Sequence, residues 1–133
     1  MLKVEHLGIA VKDLANSIPL FEQLLNTPCY KTEGVESEGV KTAFFQLGES
    51  KIELLEATQN TSPIAKYIEK KGEGIHHIAF EVENIEAEMK RLSALGFEVI
   101  NEKPKDGADN KLVCFLHPKT TNGVLIELCQ EKK

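Results

Sequence analysis

Two histidines and two glutamates recur at matching places along the chain, and together they could bind a divalent metal ion. His6 begins a His-Leu-Gly-Ile-Ala-Val run, and His77 begins a His-Ile-Ala-Phe-Glu-Val run 71 positions later (77 − 6). Glu53 lies in Ile-Glu-Leu-Leu, and Glu127 lies in Ile-Glu-Leu-Cys 74 positions later (127 − 53). Imidazole and carboxylate ligands suit divalent first-row metals, and two carboxylates offset the charge of the ion.

The alternation of polar and apolar residues predicts that these four side chains face away from apolar layers. Successive side chains of a strand point to opposite faces, so His6 faces away from Leu7 and Ile9, as His77 does from its own apolar neighbours. Taken singly, each His or Glu is more often a solvated or hydrogen-bonded residue. The repetition favours metal ligation, because an exposed face has no reason to carry the same two residue types at corresponding points of both copies.

The elements that must position these residues are two copies of one pattern, a strand, a helix and three strands. In the first copy, Asp13 or Asn16 caps the helix, and Pro19 is expected within its first turn or so. The strands are predicted near 3–11, 30–35, 40–47 and 51–57. A short helix follows, with Ser62 as its cap, Pro63 at its first position and Gly72 just past its end.

The second copy repeats the pattern with one longer loop. Asn84 caps its helix and Gly96 ends it. The loop over 102–110, rich in Pro, Gly, Asp and Lys, is expected to be mobile and close to a ligand. The strands are predicted near 75–82, 97–101, 111–117 and 123–130.

Together these elements predict an α+β fold of two tandem βαβββ modules, whose curved mixed sheets form a shared metal-binding cavity. Residues 1–60 form the first module, 61–73 a linker helix and 74–133 the second module, within one structural domain. A chain of 133 residues is long enough to bury a core without disulfides.

Composition argues against several classes of function. The net charge of −5 and the single arginine, Arg91, disfavour a nucleic-acid partner. No apolar run approaches the roughly 20 residues of a membrane span, so no membrane partner is expected. Three cysteines without close pair spacing predict reduced thiols, and the lack of a targeting signal predicts a cytoplasmic location. With one arginine, an anionic substrate would have to be held by a metal ion or by lysines.

The residues and their order resemble the vicinal oxygen chelate superfamily, which includes glyoxalase I, extradiol dioxygenases and methylmalonyl-CoA epimerases. The epimerases are most similar in Ser-Pro-Ile-Ala at 62–65, Gly-Glu-Gly-Ile-His-His-Ile-Ala at 72–79, and Phe-Leu-His-Pro-Lys at 115–119, which precedes Gly-Val-Leu-Ile-Glu-Leu at 123–128. The resemblance implies a metal bound by His6, Glu53, His77 and Glu127. Cobalt(II) is favoured in the family, and manganese, zinc or nickel are the other occupants.

The resemblance also implies a reaction. The chain would interconvert the (2R) and (2S) forms of methylmalonyl-CoA by proton abstraction through a metal-stabilised enolate, with Glu127 as the first candidate base. The second base stays open, because Thr42 stands where several relatives have glutamate. Glu36, Glu38, His76 or a metal-bound water could replace it.

Two further residues are candidates for contact with the substrate. Lys119 is expected either to contact a phosphate of coenzyme A or to be a solvated surface lysine. His76 faces away from His77, and either packs or contacts the substrate. Thr42 is included with them because of its place in the family pattern.

Other functions remain open at this stage. A glyoxalase I-type lyase acting on a glutathione hemithioacetal and a non-catalytic small-molecule-binding protein share the architecture. An extradiol dioxygenase uses two His and one carboxylate, so the additional Glu53 counts against it. The expected partners are a coenzyme A thioester substrate and a second copy of the chain in a homodimer, because modules of this size cover their exposed sheet edges by pairing.

Overall fold

The computed structural model describes residues 1–132, which divide into two compact units. The first unit is His6–His76, and the second joins residues 1–5 to the chain from His77 onward. The described residues form three α-helices and eight β-strands. In chain order these are β1 (Lys3–Ala10), α1 (Leu14–Leu25), β2 (Lys31–Val35), β3 (Val40–Leu47), β4 (Ser50–Ala57), α2 (Pro63–Lys71), β5 (Gly74–Glu81), α3 (Ile85–Ala94), β6 (Lys105–Gly107), β7 (Lys111–Leu116) and β8 (Ile126–Glu131).

The first unit is a mixed sheet with the strand order β2-β3-β4-β1. β1 runs parallel to β4, and the other neighbours are antiparallel. Helix α1 packs on one face, where it covers a cluster that includes Val11, Phe45 and Leu54. The other face carries His6 and Glu53, because side chains alternate along β1 and β4.

Local signals explain the helices of this unit. The Asp13 carboxylate accepts a hydrogen bond from the Ala15 N–H at the start of α1, and Asn26, with φ of 51°, ends the helix in the left-handed conformation. Pro19 lies beyond the first turn, so the expectation for its position was wrong. The Ser62 hydroxyl accepts a hydrogen bond from the Ala65 N–H at the start of α2.

Helix α2 covers one end of the face that carries His6 and Glu53. Its Ile64 packs against Ala10 and Leu55, which point to the same side as the two polar residues. Helix α2 therefore packs on the apolar end of that face.

The second unit repeats this arrangement with the strand order β5-β8-β7-β6. β5 and β8 are parallel, and β8, β7 and β6 are antiparallel neighbours. Helix α3 buries Ile85, Met89 and Leu92 in a cluster with Leu116 and Leu128 on one face of the sheet. His77 and Glu127 lie on the opposite face.

The prediction of a strand near 97–101 is wrong. Only a single bridge joins Val99 to Leu116 within the described residues, because the Asn101 side chain, and not the backbone, accepts the next hydrogen bond from the Phe115 N–H. The third neighbour of the repeat is instead β6, which lies inside the stretch predicted to be a loop.

Candidate active site

The first histidine–glutamate pair lies on the sheet of the first unit. His6 Nδ1 is 3.1 Å from Glu53 Oε2, and both side chains are buried. The parallel register places Gly8, and not His6, opposite Glu53. The imidazole therefore reaches the carboxylate diagonally, past a residue that has no side chain.

The second pair lies at the corresponding place in the second unit, but it uses the other imidazole nitrogen. His77 Nε2 is 3.1 Å from Glu127 Oε1, and both side chains are again buried. The register places Ala79 opposite Glu127, so this imidazole also reaches diagonally past a small residue. Each unit thus pairs the His and Glu that the sequence assigned to it.

The donor atoms of each pair fit a divalent metal ion. Two ligands bound to one cation at about 2.1 Å lie about 3 Å apart, which is the separation found in both pairs. A buried carboxylate is costly unless it is compensated by a cation or by hydrogen bonds. Imidazole and carboxylate together supply that compensation and suit a first-row metal.

A phenylalanine lies opposite each of the two carboxylates, a feature that the sequence analysis missed. Phe44 on β3 is the register partner of Glu53, and Phe115 on β7 is the register partner of Glu127. Phe44 is fully buried, and the Phe115 ring meets the His77 ring edge-on at 6.1 Å between centroids. The repeat in the sequence could have revealed this pair, because Phe44 and Phe115 are separated by the same 71 positions (115 − 44) as the two histidines.

A lysine lies over each of these rings. Lys31 Nζ is 5.0 Å from the centroid of Phe44, and Lys105 Nζ is 5.6 Å from the centroid of Phe115. Lys31 is directly opposite Phe44, whereas Lys105 is opposite Val113 and reaches Phe115 diagonally. Each unit therefore carries a row of Lys, Phe, Glu and His across its four strands.

Thr42 lies on the same face as this row in the first unit. It is buried on β3, two residues from Phe44, and its register partner on β2 is Glu33. Glu33 was not considered in the sequence analysis. Its Oε1 is 3.5 Å from Lys31 Nζ, so a carboxylate and an ammonium group lie beside the position where relatives were expected to have glutamate.

The remaining sequence candidates lie in other surroundings. His76 packs edge-on against Tyr67 at 5.0 Å between ring centroids, in agreement with the packing alternative. Lys119 Nζ is 2.8 Å from Glu98 Oε1 in an exposed ion pair, and this hydrogen bond lowers the pKa of Glu98. Glu36 and Glu38 lie in a short 3-10 turn that connects β2 to β3.

The cysteines are free thiols, as predicted. Burial, followed by the negative charge of Glu127, raises the pKa of Cys114 to about 11. The same two causes, burial first, raise the pKa of Cys129. Both thiols are therefore protonated at neutral pH and are poor metal ligands.

Comparisons with known proteins show the family to which the chain belongs. A family model described as the Glyoxalase/Bleomycin resistance protein/Dioxygenase superfamily matches residues 5–115. The ethylmalonyl-CoA/methylmalonyl-CoA epimerase of Cereibacter sphaeroides is 41% identical over 96% of this chain and 97% of its own length. The human mitochondrial methylmalonyl-CoA epimerase is 38% identical over 96% of this chain and 73% of its own length.

A solved structure gives the same result for the fold. A variant of the Streptomyces coelicolor methylmalonyl-CoA epimerase, in complex with 2-nitronate-propionyl-CoA, matches with a TM-score of 0.95. It is 32% identical, and the match covers 98% of this chain and 95% of that chain. The predicted α+β fold of paired βαβββ modules is confirmed. Within residues 1–132, no helix has the length and apolar character that crossing a membrane would require.

Proposed function

Because the chain belongs to the Glyoxalase/Bleomycin resistance protein/Dioxygenase superfamily, we propose that it is a methylmalonyl-CoA epimerase. It interconverts the (2R) and (2S) forms of methylmalonyl-CoA, and its substrate is therefore a coenzyme A thioester. The observation that carries the proposal is the pair of buried histidine–glutamate contacts, one in each unit, each with a nitrogen and a carboxylate oxygen 3.1 Å apart. The Cereibacter sphaeroides and human relatives, each matching 96% of this chain, bear this activity in their names.

We propose that four residues hold one divalent metal ion: His6, Glu53, His77 and Glu127. The ion would lie in a cavity shared by the two modules, 1–60 and 74–133. The linker 61–73 joins these modules into one domain. Cobalt(II) is the proposed occupant, with manganese, zinc and nickel as alternatives. Bound there, the ion supplies a Lewis acid that stabilises negative charge on the thioester oxygen of the substrate. The donor types and the separation of about 3 Å within each pair support this assignment.

Glu127 is proposed to move the proton at C2 of the substrate. Its carboxylate is buried beside the Phe115 ring, and His77 holds it at 3.1 Å. A carboxylate fixed in this way can take the proton without reorganisation. The proton of one enantiomer thus passes to the Glu127 carboxylate.

Inversion requires a second acid–base group for the other face of the substrate. Thr42 cannot take a proton unaided, and His76 is engaged with Tyr67. Glu33 is the carboxylate directly opposite Thr42 in the strand register, so it is the second group that we propose. Thr42 is then a hydroxyl neighbour that can donate a hydrogen bond to the substrate or to Glu33.

Exchange of the substrate proton with solvent tests the proposed function. Metal-loaded protein is incubated with (2S)-methylmalonyl-CoA in D2O, and mass spectrometry and chiral analysis follow deuterium at C2 and formation of the (2R) form. We expect both, and we expect a chelator to stop both. Absence of exchange from fully metal-loaded protein would exclude an epimerase and favour a binding protein of the same family.

The glyoxalase I alternative is tested in parallel. The same protein is given methylglyoxal with glutathione, and the thioester product is followed by absorbance. We expect no turnover of this mixture. Turnover of the hemithioacetal alone, without exchange of methylmalonyl-CoA, would reverse the assignment.

A homodimer in the cytoplasm completes the proposal. β2 and β6 stand at the two ends of the strand order, so each unit has a short edge strand that a second copy could cover. Light scattering after size-exclusion chromatography gives the mass, and we expect twice the 14.8 kDa of one chain.

A further inference from the structure

The two lysines over the phenylalanine rings have no role in the metal site or in proton transfer as proposed above. We propose that Lys31 and Lys105 bind the free carboxylate of the malonyl thioester and thereby make its C2 proton easier to remove. This proposal rests on the proposed function and names the groups that recognise the acidic end of the substrate.

The position of each ammonium group supports this role. Lys31 is on the edge strand β2, yet its Nζ lies over the Phe44 ring, 5.0 Å from the centroid, and Phe44 is opposite Glu53. Lys105 is on the edge strand β6, and its Nζ lies over the Phe115 ring, which is opposite Glu127. Both side chains therefore extend along the sheet toward the histidine–glutamate pair of their own unit.

Several other cations of the chain are engaged with protein carboxylates elsewhere. Arg91 forms two hydrogen bonds to Glu88 on α3, and Lys119 pairs with Glu98. Lys111 is buried and bonds to Glu131. Lys31 Nζ is also 3.5 Å from a carboxylate oxygen of Glu33. Lys31 and Lys105 differ from the other cations because both lie on the face that carries the histidine–glutamate pair of their unit and both are held over a phenylalanine ring.

The charge balance of the reaction explains why such cations are needed. The C2–H bond breaks, its proton passes to the Glu127 carboxylate, and its electron pair moves onto the thioester oxygen. The acyl group then carries two negative charges, the enolate and its carboxylate, a few bonds apart. Repulsion between them is strong where water is excluded, and an ammonium group beside the carboxylate offsets it. In this step the lysines neither donate nor accept a proton.

Lysine-to-methionine variants test the proposal without removing the apolar stem that covers the ring. We expect Lys31→Met and Lys105→Met each to lower kcat/KM for methylmalonyl-CoA by roughly 10- to 100-fold. Lys31→Arg and Lys105→Arg keep the charge and should recover part of the loss. Lys90→Met, on the exposed side of α3, is the matched control and should behave like the parent chain.

Methylmalonyl-pantetheine distinguishes binding of the carboxylate from binding of the phosphates of coenzyme A, because it keeps the malonyl group and lacks the nucleotide. We expect the same loss with this thioester. A loss seen only with methylmalonyl-CoA would mean that the lysines bind phosphate and would overturn the proposal. Parent-like kcat/KM in both methionine variants would overturn it as well.

Binding without turnover distinguishes failure of this proposal from failure of the proposed function. Malonyl-CoA and propionyl-CoA share every phosphate and differ in the free carboxylate. Calorimetry should show that the parent chain binds malonyl-CoA more tightly than propionyl-CoA. In each methionine variant, the ratio of the two affinities should be roughly tenfold smaller. An unchanged preference rejects the role of the lysines, whereas a parent chain that binds both thioesters but exchanges no C2 proton rejects the epimerase instead.

Discussion

Phe44 lies directly opposite Glu53 in the antiparallel register of β3 and β4, and its ring is fully buried. The same relationship recurs between β7 and β8 in the second unit. A duplicated ring beside a duplicated carboxylate means that each half of the repeat carries the acidic group together with an apolar neighbour that keeps water from it. The electrostatic effect of a carboxylate is larger in such surroundings.

Phe44→Ala should lower the free energy of unfolding by about 3–5 kcal/mol, because it removes a large buried side chain and leaves a cavity. Urea unfolding followed by circular dichroism measures the change. Leu24→Ala is the control, since Leu24 is 70% exposed on α1, and we expect a change within about 0.5 kcal/mol. Similar losses in the two variants would show that Phe44 is not packed as described.

Glu127→Gln should abolish proton exchange at C2 of the enantiomer whose proton faces Glu127, with little change in stability. Glutamine keeps the size of the side chain but cannot take a proton, and loss of one acid–base group costs roughly 10²- to 10⁴-fold in rate. Deuterium incorporation from D2O measures the rate. Unchanged exchange in this variant would reject Glu127 as the base.

Glu33→Gln tests the second acid–base group separately. We expect exchange from one enantiomer to continue while conversion to the other falls by roughly 10²- to 10⁴-fold, because only one face of the substrate would retain its acid–base group. Deuterium incorporation at C2 and formation of the other enantiomer are measured in the same sample and compared. Glu38→Gln, in the turn before β3, is the matched control, and a larger effect there would move the role to that turn.

The parts of the fold with local causes were predictable from the sequence. The caps Asp13, Ser62 and Asn84 each accept a hydrogen bond from an N–H two or three residues later, so the signal lies within one turn of chain. The two histidine–glutamate pairs were also within reach, because alternation and repetition fix the face and the partner.

The parts that depend on strand register were not predicted. β6 pairs with β7 through a tight turn in which Asp109 and Asn110 have positive φ values of 61° and 57°, a turn signal that the composition of the loop concealed. The rows of Lys, Phe, Glu and His require the alignment of four strands. Neither Lys31 nor Lys105 stands out until that register is known.

Metal content should depend on both histidines. We expect one equivalent of metal per chain after loading, and His6→Ala or His77→Ala should each lose most of it, because either change removes one imidazole ligand. Elemental analysis after desalting gives the stoichiometry. His76→Ala is the matched control, since His76 packs against Tyr67, and it should retain the metal. Retention of metal by both ligand variants would contradict the four-ligand assignment.

Thiol alkylation should report the burial of the cysteines. Burial and the Glu127 charge raise the pKa of Cys114 to about 11, so at pH 8 only about one thiol in a thousand is the reactive thiolate. Cys129 is also fully buried with a raised pKa, whereas Cys29 is partly exposed. Mass spectrometry after brief iodoacetamide treatment should therefore find one modification in the folded protein, at Cys29, and three after unfolding in urea. Because a raised pKa shifts thiolate formation to higher pH, alkylation of Cys114 should increase only as the pH approaches 11. Rapid modification of Cys114 at pH 8 would show that the second unit opens in solution.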